Sequence, residues 1–500
     1  MSRVKQLTRR TFLVCALSLM ALAPQLQNCQ GGGGGPSGDG GGGFDGRPAD
    51  SGPAIPDRGA AFALPESRVA MVRASKARAS DLTEGDIQRL VAQAVAAAGG
   101  LAGLVRDGQT VVIKPNLVFT SDLTLSSNSG RPLPPEVNGV TTDWRVTKAV
   151  VGLVRKLNPG GKVYVMEGSV APTRSAFKAL GYTGDKIPGV DAFLAIEEDS
   201  GAFGDKDSAG LVKVALADGQ LNKEYYLNRK IKQADVLISL PTLKNHWNAV
   251  VTGAVKNIGI GATPANIYGA TATYHLRTQS IDHQSRALHQ WIRDFYRCRP
   301  ADFVVMDGLQ GLQNGPVPSK QLSGTTELKQ DQMNMRLVLA GKDALAVDTV
   351  ASLVMGWNPG SVEHLRLLGA DRAGNTDPLN IRVVGQRVDQ VRQKFAGSTA
   401  LFSHGGAPVK DTTPPRLSVS SQRLTGARLV LQLGPDADLR RLELFAGGTY
   451  LGRAIVTDSG PLVFDLSGLG AGTHSLTLHG FDASLNHARQ TLSVTIGAGE

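Results

Sequence analysis

The chain has 500 residues, with 53 Lys and Arg against 43 Asp and Glu and a formal charge of +10. That basic excess is spread without a Lys/Arg block, so it describes a solvated surface and not a nucleic-acid track. Only Cys15, Cys29 and Cys298 are present, too few for a cysteine-ligated iron–sulfur cluster or a Cys-rich zinc site within one chain.

Arg3, Lys5, Arg9 and Arg10, with no acid among them, precede an apolar run from Phe12 to Ala23, the layout of a secretory signal peptide. Thr8-Arg9-Arg10-Thr11-Phe12-Leu13 matches the twin-arginine form of that signal, whose route carries cargo already folded. The run is too short for a good membrane span, and no later stretch is apolar for long enough to be one. Anchoring is therefore expected through lipid. Leu26-Gln27-Asn28-Cys29 resembles a lipoprotein cleavage box with Cys29 as the acylated residue. Cleavage after Ala21-Leu22-Ala23 is the alternative, and Pro24 directly behind it argues against that. Residues 1–29 are thus a twin-arginine signal peptide with a lipobox-like end, and the expected location is outside the cytoplasm, on a membrane, in the periplasm or at the cell surface.

Residues 30–66 are rich in Gly, Pro, Ser and Asp, with near-pure glycine at 31–35 and 40–43, which makes a flexible linker. From 67 to 402 the texture becomes that of one large α/β domain. Thr83-Glu84-Gly85-Asp86 is a capping pattern, and Ile87, Leu90, Val91, Ala94 and Val95 repeat at helical spacing up to Gly99-Gly100. A short, continuously apolar strand follows at 110–114, as expected where helices cover both faces of a parallel sheet. The pattern predicts a helix at 144–157, a strand at 162–166 and a helix near 173–180. It then predicts a strand at 235–240, a helical stretch at 249–255, strands at 302–306 and 335–340, and a helix at 344–355. Strand and helix alternate throughout, so the expected architecture is a largely parallel, possibly mixed, open sheet flanked by helices. After Asp411-Thr412-Thr413-Pro414-Pro415, seven short strands at 416–420, 427–433, 441–445, 450–456, 462–466, 474–479 and 490–496 suggest a second domain over 411–500, a β-sandwich of the immunoglobulin-like kind without its cysteines.

In open α/β sheets, ligands sit beyond the carboxyl ends of the strands. The residues there are Lys114-Pro115-Asn116, Glu167-Gly168-Ser169, Lys244-Asn245-His246, Asp307-Gly308 and Gly341-Lys342-Asp343. One such residue is commonly a solvated lysine or a turn former. Five strands delivering charge to one rim point to a site, because desolvated charges need partners. Val255-Lys256-Asn257-Ile258-Gly259-Ile260-Gly261 adds a lysine and an asparagine before a Gly-rich turn, a spacing that fits neither a dinucleotide fingerprint nor a phosphate loop. Asn314-Gly315-Pro316, after Asp307-Gly308, adds a turn-rich loop that either folds over a ligand or is only a turn. Asp348, on an apolar helix, reads as a buried acid paired with one of the lysines or as an outward-facing residue. His283 and His289, six apart, are ordinary surface or packing residues on this spacing.

Taken together, Ile113-Lys114-Pro115-Asn116-Leu117, Thr141-Thr142-Asp143, Glu167-Gly168, Lys244-Asn245-His246, Val255-Lys256-Asn257-Ile258-Gly259, Asp307-Gly308, Asn314-Gly315-Pro316 and Gly341-Lys342-Asp343 with Asp348 resemble the family catalogued as domain of unknown function 362, over roughly 69–369. The resemblance supports the choice of rim residues and says little about a reaction. Many of that family carry ferredoxin-like cysteine motifs, which this chain lacks, so no iron–sulfur cluster is expected here.

The expectation is a site for a small anion, a carboxylate or a phosphate. Lys114, Lys244 and Lys256 supply positive charge, Glu167 or His246 serves as acid or base, and Asn116, Asn257, Gly259, Gly308 and Asn314 line the ligand. Asp307, with Glu167 or Asp348, is an alternative holder of a divalent cation. The same charges serve a metal-assisted enzyme or a non-catalytic, surface-tethered receptor for an anion or metal complex. A third possibility is a structural protein whose terminal domain contacts cell wall or polysaccharide.

Overall fold

The computed structural model describes residues 62, 64–118, 134–170, 172–272, 277, 280–317, 328–397, 406–457 and 460–497. The expected signal segment, Cys29 and most of the linker lie outside the described residues.

The chain enters through β1 (Ser67–Arg73), a strand that the sequence pattern did not single out, and α1 (Glu84–Ala97). Thr83 caps α1 by accepting from the Asp86 N–H while the Asp86 carboxylate accepts from the Thr83 N–H, the reciprocal box read from the sequence. Next come β2 (Thr110–Pro115), α2 (Trp144–Leu157), β3 (Lys162–Glu167), α3 (Thr173–Ala179) and β4 (Ala192–Ala195). A two-stranded ribbon, β5 (Leu211–Ala215) and β6 (Glu224–Asn228), precedes β7 (Val236–Leu240) and β8 (Thr242–His246).

The helix expected at 249–255 begins later. Val250–Val251 pairs with Asn245 and His246 as β9, and α4 spans Gly253–Gly259. Then follow α5 (Ala287–Cys298), β10 (Phe303–Leu312), β11 (Gln332–Met333), β12 (Leu337–Gly341), α6 (Ala344–Val354), α7 (Glu363–Ala370) and β13 (Ile381–Gly385).

The main sheet has the order β13-β1-β12-β10-β7-β2-β3-β4. It is mixed: β12 pairs antiparallel with both β1 and β10, and the other neighbours along this path are parallel. Strand residues alternate between two buried cores, Val112, Leu337 and Leu339 on one face and Val111, Ile113, Val338 and Ala340 on the other. α4, α5, α6 and α7 cover the first face, and α1, α2 and α3 the second. Burial on both faces is why these strands read as unbroken apolar runs, each Val, Leu or Ile contributing about 1.5–3 kcal/mol.

Seven strands form at the carboxyl end, in two antiparallel sheets, six where expected and the first shifted from 416–420 to Val419–Thr425. One is β14 (Val419–Thr425), β15 (Arg428–Leu433) and β18 (Leu462–Asp465). The other holds β16 (Arg441–Ala446), β17 (Thr449–Ile455), β19 (Gly472–Phe481) and β20 (His487–Ile496), in the order β17-β16-β19-β20. Their inner faces share a core that includes Leu429, Leu431, Leu442, Leu444, Phe464, Leu476 and Leu478. This layer is fastened to the α/β part. Arg441 donates to the carbonyls of Leu379 and Ile381, Arg453 to Leu379 O and the Asn380 side chain, and Arg392 to Asn486 and Ser484. Among the described residues, no helix is long and apolar enough to cross a membrane.

Candidate functional site: a buried lysine cluster

Parallel β2, β3 and β7 end at one rim, and β7 continues past Pro241 into β8, which rides along β10 there. Lys114, next to last in β2, is fully buried. Its ammonium donates to Glu167 Oε2 at 2.8 Å, Pro115 O at 2.9 Å and Asn257 Oδ1 at 3.4 Å. Glu167, the last residue of β3, is saturated in turn: Oε2 also accepts the Leu117 N–H at 3.1 Å and Oε1 the Gly168 N–H at 2.8 Å. Burial lowers the Lys114 pKa, and Glu167 opposes that shift by charge and hydrogen bond.

Two asparagines extend the network. Asn116 Nδ2 donates to Asn257 Oδ1 at 3.2 Å, while Asn257 Nδ2 donates to Lys114 O and Ser239 Oγ, both at 3.1 Å. Asn116 Oδ1 accepts from Lys244 Nζ at 3.0 Å, whose second acceptor is Val140 O. Lys244 is buried among neutral acceptors, and burial with the charge of Lys256 drives its pKa well below the ordinary value.

Lys256 stands on α4, only 9% exposed, and among the described residues it makes no hydrogen bond or ion pair. Burial, Arg277 and Lys114 push its pKa down to about 8. The helix that carries it is pinned at its amino end by Asp348, whose carboxylate accepts the N–H groups of Ala254 at 2.6 Å and Val255 at 2.9 Å. Gly253 makes that approach feasible: it has φ +59°, and a Cβ there would lie 2.4 Å from Asp348 Oδ2. Asp348 is therefore buried as one alternative expected, but its partners are backbone amides and not a lysine. Its pKa is pushed up to about 7, chiefly by burial.

Arg277 was not foreseen. It is buried, donates to Ser169 O at 3.3 Å and Thr263 O at 2.8 Å, and lies in the field of Glu197 and Glu167. Gly168 makes room for it, since a Cβ there would sit 2.7 Å from Nη2. Among the described residues, Lys114, Lys244, Lys256 and Arg277 thus face two carboxylates, Glu167 and Glu197, a formal excess of two positive charges in a desolvated setting.

Two histidines border the cluster. His246 Nδ1 accepts the N–H groups of Asn248 at 3.2 Å and Ala249 at 3.3 Å, which places the proton of the neutral ring on Nε2. Burial and then Lys256 hold its pKa well below the ordinary value. His283, which the spacing had set aside, holds Ile281 O at 2.8 Å through Nδ1 and is pushed down to about 4 by burial and then by Lys256 and Arg277. His289 is a packing residue, stacked on His364 with their Nδ1 atoms 3.1 Å apart.

The structure brings together Lys114, Asn116, Glu167, Lys244, His246, Lys256 and Asn257, and gives the others different partners. Asp307 does not end its strand, because β10 runs on to Leu312. Its carboxylate accepts the Asp143 N–H at 2.8 Å and the Leu309 N–H at 3.0 Å, and burial with the Asp143 charge raises its pKa. Gly308 is a packing glycine under Leu337, and Gly259 one against Ile292. Asn314 serves the loop itself, bonding Asp331 at 2.7 Å. Gly341-Lys342-Asp343 lies at the opposite rim because β12 runs antiparallel; Asp343 caps α6, as its place before Ala344 suggests, and accepts from Ser67 Oγ at 2.6 Å.

The carboxylates of Glu167, Asp307 and Asp348 are each engaged by separate N–H donors. Among the described residues the one group with metal-ligand spacing is Asp411, Asp438 and Asp482, away from the lysines. Cys298 is buried, and its thiol is pushed up to about 11, which makes it unreactive.

The fold and site define a mixed α/β protein with a basic, desolvated cluster at the carboxyl ends of its parallel strands. Residues 111–352 match the model of the family described as Domain of unknown function (DUF362). The Thylakoid-associated protein sll1697 of Synechocystis sp. (strain ATCC 27184 / PCC 6803 / Kazusa) is 23% identical over 266 residues, 53% of this chain and 68% of that protein. Among solved structures, the lactate racemase apoprotein from Thermoanaerobacterium thermosaccharolyticum gives a TM-score of 0.31 at 13% identity, over 56% of this chain and 54% of that one. The chain thus spans about half the length of that protein. The PKD1 domain of Vibrio anguillarum Epp gives 0.14 at 12% identity, over 17% of this chain and 98% of that one.

Proposed function

We propose that the α/β domain binds a small anion, a carboxylate or a phosphate, above Lys244 and Lys256. The observation that carries this reading is Lys256: a residue 9% exposed, with no side-chain partner among the described residues, beside three further cations, Lys114, Lys244 and Arg277, that face two carboxylates among those residues. Keeping an unpaired charge out of water costs several kcal/mol, and an incoming anion offsets that cost. His246 offers its Nε2–H as a further donor at the same rim. If the ligand reacts, the lysines would stabilise negative charge that develops on it.

In the same reading the protein is exported by residues 1–29, tethered through an acylated Cys29 and spaced from the membrane by the Gly-rich 30–66. The carboxyl-terminal β layer is an immunoglobulin-like domain, and its seven-strand, two-sheet order supports that assignment. The direct test is calorimetry of the full chain with phosphate and with oxalate at low ionic strength. One saturable event is expected for at least one of them, lost in Lys256→Met. Equal binding by parent and variant would remove the reading.

A further inference from the structure

The three lysines of the site are chemically unequal. Lys114 is committed to Glu167, and Lys244 is held by Asn116 and Val140. The Lys256 side chain has no partner among the described residues, yet its backbone is fixed, because Asp348 pins the first turn of α4 and the next residue, Asn257, is bonded to Lys114, Asn116 and Ser239. A positioned amine without a hydrogen-bond partner, beside other cations, is the arrangement that turns lysine into a nucleophile.

We propose that Lys256 forms an imine with the carbonyl carbon of a small 2-oxo acid, whose carboxylate is held by the neighbouring cations. This rests on the anion-binding reading and names the ligand class for it. The neutral amine attacks C2, a C–N bond forms, and the carbonyl π pair moves to oxygen. A proton passes from nitrogen to that oxygen, giving the carbinolamine. The oxygen then leaves as water with the second amine proton, and C=N remains, so no oxidant or reductant is consumed. Lys244 and Arg277, whose charges lie in the same cluster, are the neighbouring cations that would meet the carboxylate. With its pKa near 8, Lys256 supports the chemistry at neutral pH, where it holds roughly two hundred times more free amine than an ordinary lysine.

The experiment treats the full chain with pyruvate and cyanoborohydride, maps the carboxyethylated lysines by peptide mass, and measures oxalate binding in parallel. Oxalate carries the carboxylates and no ketone. The expected result is label on Lys256 at least about tenfold above any other lysine, rising with pH through about 8, suppressed by oxalate and absent in Lys256→Met. If oxalate binds while label is missing or scattered over surface lysines, the imine is wrong and the anion reading stands. If oxalate does not bind at all, both fall.

Discussion

Two buried cations in this molecule are treated in opposite ways. Arg441, 1% exposed where the β layer meets the α/β part, has its terminal nitrogens bonded to Glu443, Leu379 O and Ile381 O. Lys256, at the carboxyl rim of the sheet, has no such shell among the described residues. A charge that holds domains together arrives with its partners in the chain. One kept unpaired lowers stability, and the compensation must come from a ligand. The difference separates structure from function more sharply than burial does, since both residues are buried.

The comparison can be broken at either end. The largest effects are expected where a filled pair loses its cation. Arg441→Ala strands Glu443 and Lys114→Ala strands Glu167, each costing about 3–5 kcal/mol in denaturant unfolding. Lys114→Ala is for that reason a poor probe of binding, although the lysine is part of the cluster. Lys256→Met should act in the other direction and stabilise the unliganded protein at pH 7 by about 3 kcal/mol while abolishing anion binding.

The pH dependence sharpens the same point. The folded pKa of Lys256 is depressed to about 8, so between there and the ordinary lysine value the unfolded chain binds more protons. Stability should therefore rise with pH across that window, and this contribution should vanish in Lys256→Met. At the small end, Lys148→Ala breaks a 2.6 Å surface pair with Glu84 and should change stability by less than about 1 kcal/mol.

Much of the fold was legible because strands buried on both faces leave an unmistakable run of apolar residues, as at 110–114 and 335–340. Direction was not legible. An apolar strand reads the same whichever way it runs, so β12 gave no sign of being antiparallel, and Asp343 was assigned to the wrong rim. Asp307-Gly308 looked like a strand end because Asp-Gly usually turns. Here Gly308 lets β10 continue tightly beneath Leu337.

Lys114, Asn116, Glu167 and Lys244 were legible through their places at or near the ends of parallel strands, and Lys256 and Asn257 through the Gly-rich turn that follows them. Arg277 was not, since it lies outside any long periodic segment, and its only sequence trace is Gly168, whose missing side chain makes room for the guanidinium. For Asp348 the sequence left burial beside a lysine and an outward position both open, because a helix amino terminus, unlike a lysine, leaves no charged residue in the sequence to announce the partner.

The central claim is that Lys256 is a buried ammonium awaiting an anion, and its own titration tests that most directly. Lysine labelled with carbon-13 at Cε, assigned by comparison with Lys256→Met, reports the pKa by NMR with and without oxalate. The account predicts a value near 8 in the free protein that moves upward when oxalate saturates the site. An ordinary lysine pKa in the free protein, unmoved by oxalate, would contradict it.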